Sequence, residues 1–274
     1  MHDVVEVDGR ALHTGVEVRV RIEARRGPVC FSRAGVRIPL AELLPVVGDR
    51  ATVLEDRAGL LRVSTVEHAL SALMGLRIHG GVTIDVDGPE LPLLDGGARR
   101  WCELFSALRL DPASGVPRTL AVTRPWSVEL ARSRYSFAPA SGLAVEVDAL
   151  WDDPRLARSA SWGGDMNVYL AQIAPSRTFA FAREVAEIAE KGLARGVDPR
   201  SVIVVGEHDI LAAGAPFRAD EPVCHKLLDL LGDLYVHASV LEGRIRAERP
   251  GHHVTHQVLQ RAKVEGVLVE VVGA

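Results

Sequence analysis

The sequence predicts an α+β fold. Three observations predict it: strict two-residue alternation in two segments, four stretches of helical periodicity, and no regular strand–helix alternation of the kind a doubly wound parallel sheet needs. From Val16 to Glu23, Val16, Val18, Val20 and Ile22 fall on one side and Glu17, Arg19, Arg21 and Glu23 on the other, the period of a strand with one face solvated. Val82 to Val86 repeats the pattern, and the β-branched runs Leu143 to Val147, Ser201 to Val205 and Val264 to Val272 predict further strands. Helical periodicity covers Thr65 to Gly75, Gly97 to Leu108, Arg183 to Arg195 and Val223 to Val236.

At 274 residues the chain exceeds the usual single-domain size, so two domains are expected. The clearest break is Asp111-Pro-Ala-Ser-Gly-Val-Pro117, which divides the chain into 1–112 and 118–274. No fixed-period sequence repeat relates the halves. A hydrophobic content of 47% and a charged content of 25% describe a globular protein with a substantial core. Thirty-two basic against 36 acidic residues, a net charge of −4, argue against a nucleic-acid partner. No apolar run approaches the roughly 18 residues of a membrane span. The opening MHDVVEVDGR lacks the basic stretch and apolar core of a secretion signal, and three cysteines without paired spacing suit a reducing compartment. The expected location is the cytoplasm.

Four segments carry side chains able to do chemistry. In His225-Lys-Leu-Leu-Asp-Leu-Leu-Gly-Asp-Leu-Tyr235, helical geometry gathers His225, Lys226, Asp229 and Asp233 within an arc of roughly 100°, opposite Leu227, Leu231 and Leu234. His225 and Asp229, four apart, can converge on one metal ion; the same stripe also suits an ordinary solvated helix face. Ser64-Thr-Val-Glu-His68 sets Glu67 and His68 at a helix start, where the histidine can join a metal site and the glutamate can take a proton from water. Ser64 followed by Glu67 also fits a capping box, which gives the glutamate no catalytic duty. Pro250-Gly-His-His-Val-Thr-His256 reads as an imidazole-rich loop, either a metal or proton-handling element or a loop with no task. In Ser176-Arg-Thr-Phe179, Thr178 can donate to a developing oxyanion and Phe179 can pack on a ring, or both can be plain strand packing.

Together with Gly9-Arg-Ala-Leu-His-Thr-Gly15 and Asp87-Gly-Pro-Glu-Leu-Pro-Leu-Leu-Asp-Gly96, these segments in this order resemble the zinc-dependent UDP-3-O-acyl-N-acetylglucosamine deacetylases (LpxC) over nearly the whole chain. The resemblance implies two domains of similar α+β fold, each a sheet with helices packed on it, and an active site between them. It implies a zinc metalloamidase that releases acetate from UDP-3-O-(3-hydroxyacyl)-N-acetylglucosamine, the committed step of lipid A biosynthesis. Zinc is then held by His68, His225 and Asp229, with ferrous iron as the alternative ion. Glu67 is the general base, with helix capping as an added role, and His252 the general acid, oriented by Asp233. Thr178 and Lys226 share the charge of the carbonyl oxygen, and Phe179 contacts nucleotide or sugar. Residues Trp151 to Ile173 occupy the place of the family's acyl-chain passage. The partner is the acylated UDP-sugar, and the chain is expected to act as a monomer.

Departures from the family pattern are Ala11, Ile78-His-Gly-Gly81, Cys224 and the run His253-Val-Thr-His256, which makes His253 the rival general acid. They motivate an alternative, a paralogue that deacetylates another N-acyl amino sugar or sugar nucleotide. A non-catalytic nucleotide-sugar-binding homologue is the third reading, although no ligand or base is missing.

Overall fold

The computed structural model describes residues 2–111 and 117–271. Its first half runs β1 (Val4–Arg10), β2 (Glu17–Ala24), β3 (Cys30–Arg33), β4 (Val36–Pro39), then a small sheet of β5 (Leu44–Val46), β6 (Val53–Glu55) and β7 (Arg62–Ser64). Helix α1 (Glu67–Gly75), strand β8 (Val82–Val86) and helix α2 (Arg99–Ser106) complete it. β8 inserts between the two hairpins, antiparallel to β2 and parallel to β3, in the order β1-β2-β8-β3-β4.

The second half begins with β9 (Thr119–Val122), β10 (Trp126–Leu130), β11 (Ser133–Ala138), β12 (Leu143–Asp148) and β13 (Ser159–Trp162). A short α3 (Met166–Val168) leads into a π-helical turn at Tyr169–Ile173, then β14 (Thr178–Phe181), α4 (Ala182–Glu190), β15 (Val202–Val205) and β16 (Ile210–Ala212), whose strands form a separate small sheet. The chain ends with α5 (Glu221–His237), β17 (Val240–Glu248), α6 (His252–Val264) and β18 (Leu268–Val271). β17 inserts between hairpins antiparallel to β11 and parallel to β12, in the order β10-β11-β17-β12-β13. Both halves thus share one strand order and one helix–strand–helix sequence, a duplication carried by structure without sequence repetition. The linker that the sequence suggests falls at 112–116, outside the described residues.

Alternation in β2 buries Val18, Val20 and Ile22 as expected. β8 differs: it is the central strand, and Thr83, on the polar side of its pattern, is buried and accepts a hydrogen bond from Arg37. The run Val264 to Val272 divides. Val264 ends α6, and Gly266, at φ +67°, closes the helix with the paired N–H bonds Gly266 to Lys263 and Val267 to Ala262, so the strand starts only at Leu268. The 250–256 segment is likewise no loop, since α6 begins at His252. The third expected helix stops at Glu190 rather than Arg195.

Helices α1 and α5, equivalent in the duplication, pack against each other. Their approach explains Gly232: a Cβ there would lie 2.1 Å from the Glu67 carbonyl oxygen. Gly232→Ala should therefore destabilise the fold by about 1–3 kcal/mol through overpacking, as thermal unfolding would read. Apolar side chains of both halves, among them Ile22, Phe31, Leu70, Leu227, Leu231 and Ile245, form one continuous core. No helix among the described residues is long and apolar enough to cross a membrane.

Candidate active site

The start of α1 is fixed by a buried carboxylate. Glu90 accepts hydrogen bonds from the N–H groups of His13 and Thr14 and from the hydroxyls of Thr14 and Thr65, at 2.8–2.9 Å. One side chain thereby ties together the segments 9–15, 64–68 and 87–96, and it holds Thr65 at φ +58°, an unfavourable region for a β-branched residue. The capping box does not form. The Ser64 hydroxyl donates to the Pro89 carbonyl, and no side chain caps α1. Glu67 instead turns inward, its Oε2 accepting the Thr52 N–H at 3.0 Å.

The start of α5 is fixed by a buried ion pair. Arg177 donates from Nε to Glu221 Oε1 at 2.7 Å and from Nη1 to the Ala213 carbonyl, and the Arg177 N–H also reaches Glu221. This clamps the 176–179 segment to the helix that carries His225. Arg177→Met should cost about 3–5 kcal/mol, because it strands a buried carboxylate; chemical denaturation would measure the loss.

The solvated-face reading of α5 fails. All of its residues except Lys226 are buried, because α1 covers the ionisable side. There the Nε2 atoms of His225 and His68 lie 3.3 and 3.8 Å from Asp229 Oδ1, and one donor atom from each of the three residues falls within 4.8 Å of the others. Donors of a tetrahedral metal site with bonds of about 2.0–2.2 Å sit about 3.3–3.6 Å apart. The His225 Nδ1 is 2.9 Å from the Ser176 carbonyl, which only accepts, so Nδ1 carries the proton and Nε2 presents its lone pair to the cluster. Burial pushes the His68 pKa down to about 3 and lowers that of His225, leaving both imidazoles neutral. Burial raises Asp229, but the neighbouring His225, Lys226 and His252 outweigh it and hold the carboxylate ionised. Two neutral imidazoles and a carboxylate on converging vectors can hold a metal ion.

Beside this group sit two more buried titratable side chains, Glu67 and His252. Burial raises Glu67 to about 7, against the opposing pull of His252. Burial lowers His252, but Asp233 and Glu67 reverse the sign and carry it up to about 10. The His252 Nδ1 donates to Asp233 at 3.0 Å, and its Nε2 faces Glu67 Oε1 at 3.7 Å. Thr52 links the two, with its N–H on Glu67 and its hydroxyl on Asp233. His253, the next residue on α6, is exposed.

A cavity of about 360 Å³ opens on the cluster, lined by every site residue that the sequence predicts except Asp233. Lys226 lies on its wall with Nζ 3.1 Å from Asp229 Oδ2 and 5.8 Å above the Phe179 ring. Phe179 meets His225 and Trp151 edge to face.

Over residues 1–263 the sequence matches the UDP-3-O-acyl N-acetylglycosamine deacetylase family. The chain belongs to this family. It is 30% identical to the UDP-3-O-acyl-N-acetylglucosamine deacetylase of Shewanella loihica, over 96% of this chain and 88% of that protein. The namesakes from Shewanella halifaxensis and Shewanella pealeana are 30% and 29% identical, each over 94% of this chain and 87% of their own length.

Within the deacetylase family frame, the structure brings Glu67, His68, Thr178, Phe179, His225, Lys226, Asp229, Asp233 and His252 together. Ser159–Trp162 form a strand of the second sheet, Trp162, Tyr169 and Ile173 are buried in the core, and of residues 151–173 only Trp151 approaches the cluster, packing on Phe179 outside its cavity. The cavity's apolar wall comes instead from Ile188, Ala194, Val197 and Val202. Of the sequence departures, His79 lies off the cavity over the cluster, its Nδ1 bonded to the Ser239 carbonyl. Thr52 and the Arg177–Glu221 pair escaped the sequence reading. A lone threonine in Asp49-Arg-Ala-Thr52 has no spacing signal, and the ion pair joins residues 44 apart.

Proposed function

We propose that the chain is a zinc-dependent hydrolase that removes the N-acetyl group from UDP-3-O-(3-hydroxyacyl)-N-acetylglucosamine and releases acetate, the committed step of lipid A biosynthesis. The observation that carries this reading is the convergence of His68, His225 and Asp229 within 4.8 Å, with Glu67 and His252 alongside. The donor set fits zinc: two neutral imidazoles and one carboxylate, an anchored His225 tautomer, and three protein donors where a catalytic site leaves its fourth position open. A zinc ion held there supplies Lewis acidity toward the attacking water and the amide carbonyl.

Glu67 takes a proton from the attacking water; its buried carboxylate, held by the Thr52 N–H, is oriented for that transfer. His252 delivers a proton from Nε2 to the departing amine, and Asp233 fixes the ring by accepting from Nδ1. Thr178 and Lys226 stabilise the negative charge that develops on the carbonyl oxygen, and Phe179 packs on the sugar or nucleotide. The apolar wall of Ile188, Ala194, Val197 and Val202 takes the acyl chain. The shared strand order on either side of the 111–117 linker supports domains at 1–112 and 118–274, with the site between α1 and α5. The chain works as a monomer in the cytoplasm.

Acetate release from the acylated UDP-sugar, measured with metal content on one preparation, tests the reading. Faster turnover of a non-acylated or non-uridine sugar would overturn the substrate assignment. Between the rival histidines, His252→Ala should lower kcat about 10²-fold or more, while exposed His253→Ala keeps it within about twofold; the reverse ranking would exchange their roles.

A further inference from the structure

Asp233 is approached from two sides. His252 reaches it from the active site, and on the far side His256 Nε2 lies 3.5 Å from Asp233 Oδ1 and 3.3 Å from Thr52 Oγ1. Behind it, His256 Nδ1 is 3.0 Å from His237 Nε2, and His237 Nδ1 is 2.8 Å from Lys263 Nζ. Asp233 and His237 come from one face of α5, and His252, His256 and Lys263 from α6. The chain ends at a second, larger cavity, lined by His237, His256, Lys263 and Arg118, which shares only His253 with the cavity over the cluster.

The two ends fix the direction of every bond. An ammonium only donates and a carboxylate only accepts. Lys263 therefore donates to a bare His237 Nδ1; neutral His237 then carries its proton on Nε2 and donates to His256 Nδ1. His256 in turn carries its proton on Nε2, aimed at Asp233 and at the Thr52 oxygen. The single Thr52 hydroxyl hydrogen is already on Asp233, so that oxygen accepts. The whole array points donors at one carboxylate, the one that orients His252.

We propose that His256 and His237 are positioning residues for Asp233, and that Lys263 supplies the cation that polarises and orders their hydrogen-bond chain. Charged groups facing the chain are Arg118 and Glu270 at its outer end and Asp233 at its inner end. Burial lowers His237 well below its ordinary range, as the neutral ring requires. A chain of aligned donors fixes the ring and carboxylate positions more tightly than a single bond, because each bond polarises the next. This inference rests on the assignment of His252 as the proton donor.

Two measurements test it. Nitrogen-15 NMR of the zinc-loaded protein should show His237 and His256 as neutral Nε2–H tautomers; a proton on Nδ1 of either ring overturns the proposal, whatever the enzyme's substrate. In kinetics, His237→Phe breaks the chain at constant ring size and should lower kcat about tenfold with KM and zinc content unchanged. His237→Gln, which can both accept from Lys263 and donate to His256, should restore kcat to within about twofold. A folded His237→Phe with wild-type kcat, or a His237→Gln no better than it, overturns the proposal. If His237→Phe does not fold, Lys263→Met at the cavity rim takes its place, and kcat unchanged there has the same meaning. Wild-type protein that releases no acetate would count against the proposed function instead, and the tautomers would still decide the chain.

Discussion

Glu67→Gln should keep its metal and lose about 10³-fold or more in kcat for acetate release, within the range that general acid–base catalysis supplies. The substitution preserves shape: the glutamine carbonyl oxygen can still accept the Thr52 N–H that Glu67 Oε2 accepts at 3.0 Å. It removes only the ability to take up a proton. Glu67 is not among the three residues whose donor atoms cluster, so metal content measured on the purified variant should equal that of the parent. Loss of metal in proportion to activity would make Glu67 a ligand or a structural element.

His68→Ala should abolish both metal retention and acetate release while leaving a folded protein. His68 is the only one of the three clustered donors supplied by α1; His225 and Asp229 both come from α5. Two donors four residues apart on one helix leave an ion with solvent on its other side, and tight catalytic sites use three protein donors. The truncation also leaves a cavity where His68 is buried, so a loss of stability is expected beside the loss of metal. Metal analysis after dialysis, set beside thermal unfolding, separates the two effects. A variant that retains one ion per chain would remove His68 from the site.

The α+β class and the strand and helix periods were legible because burial imposes them locally, as in β2 and α5. The residues on the ionisable stripe of α5 were legible too, but not their surroundings. Periodicity marks a polar face without saying whether water or α1 covers it, and only the packing of Gly232 on Glu67 decides that. Glu67 carried two local readings, cap and base, of equal spacing; the inward turn to Thr52 follows from a contact 15 residues away. The helical start at His252 was hidden for another reason: glycine and three histidines compose like a loop, and α6 is held by packing on α5 rather than by a side-chain cap. The duplication was invisible because strand order, not residue identity, repeats.

The most direct measurement is an anomalous-scattering map collected at the zinc edge from crystals of the purified protein. A single strong peak is expected among His68 Nε2, His225 Nε2 and Asp229, with the Glu67 carboxylate beside it and outside bonding distance. A peak elsewhere, or a zinc-loaded protein with no peak between α1 and α5, would contradict this arrangement.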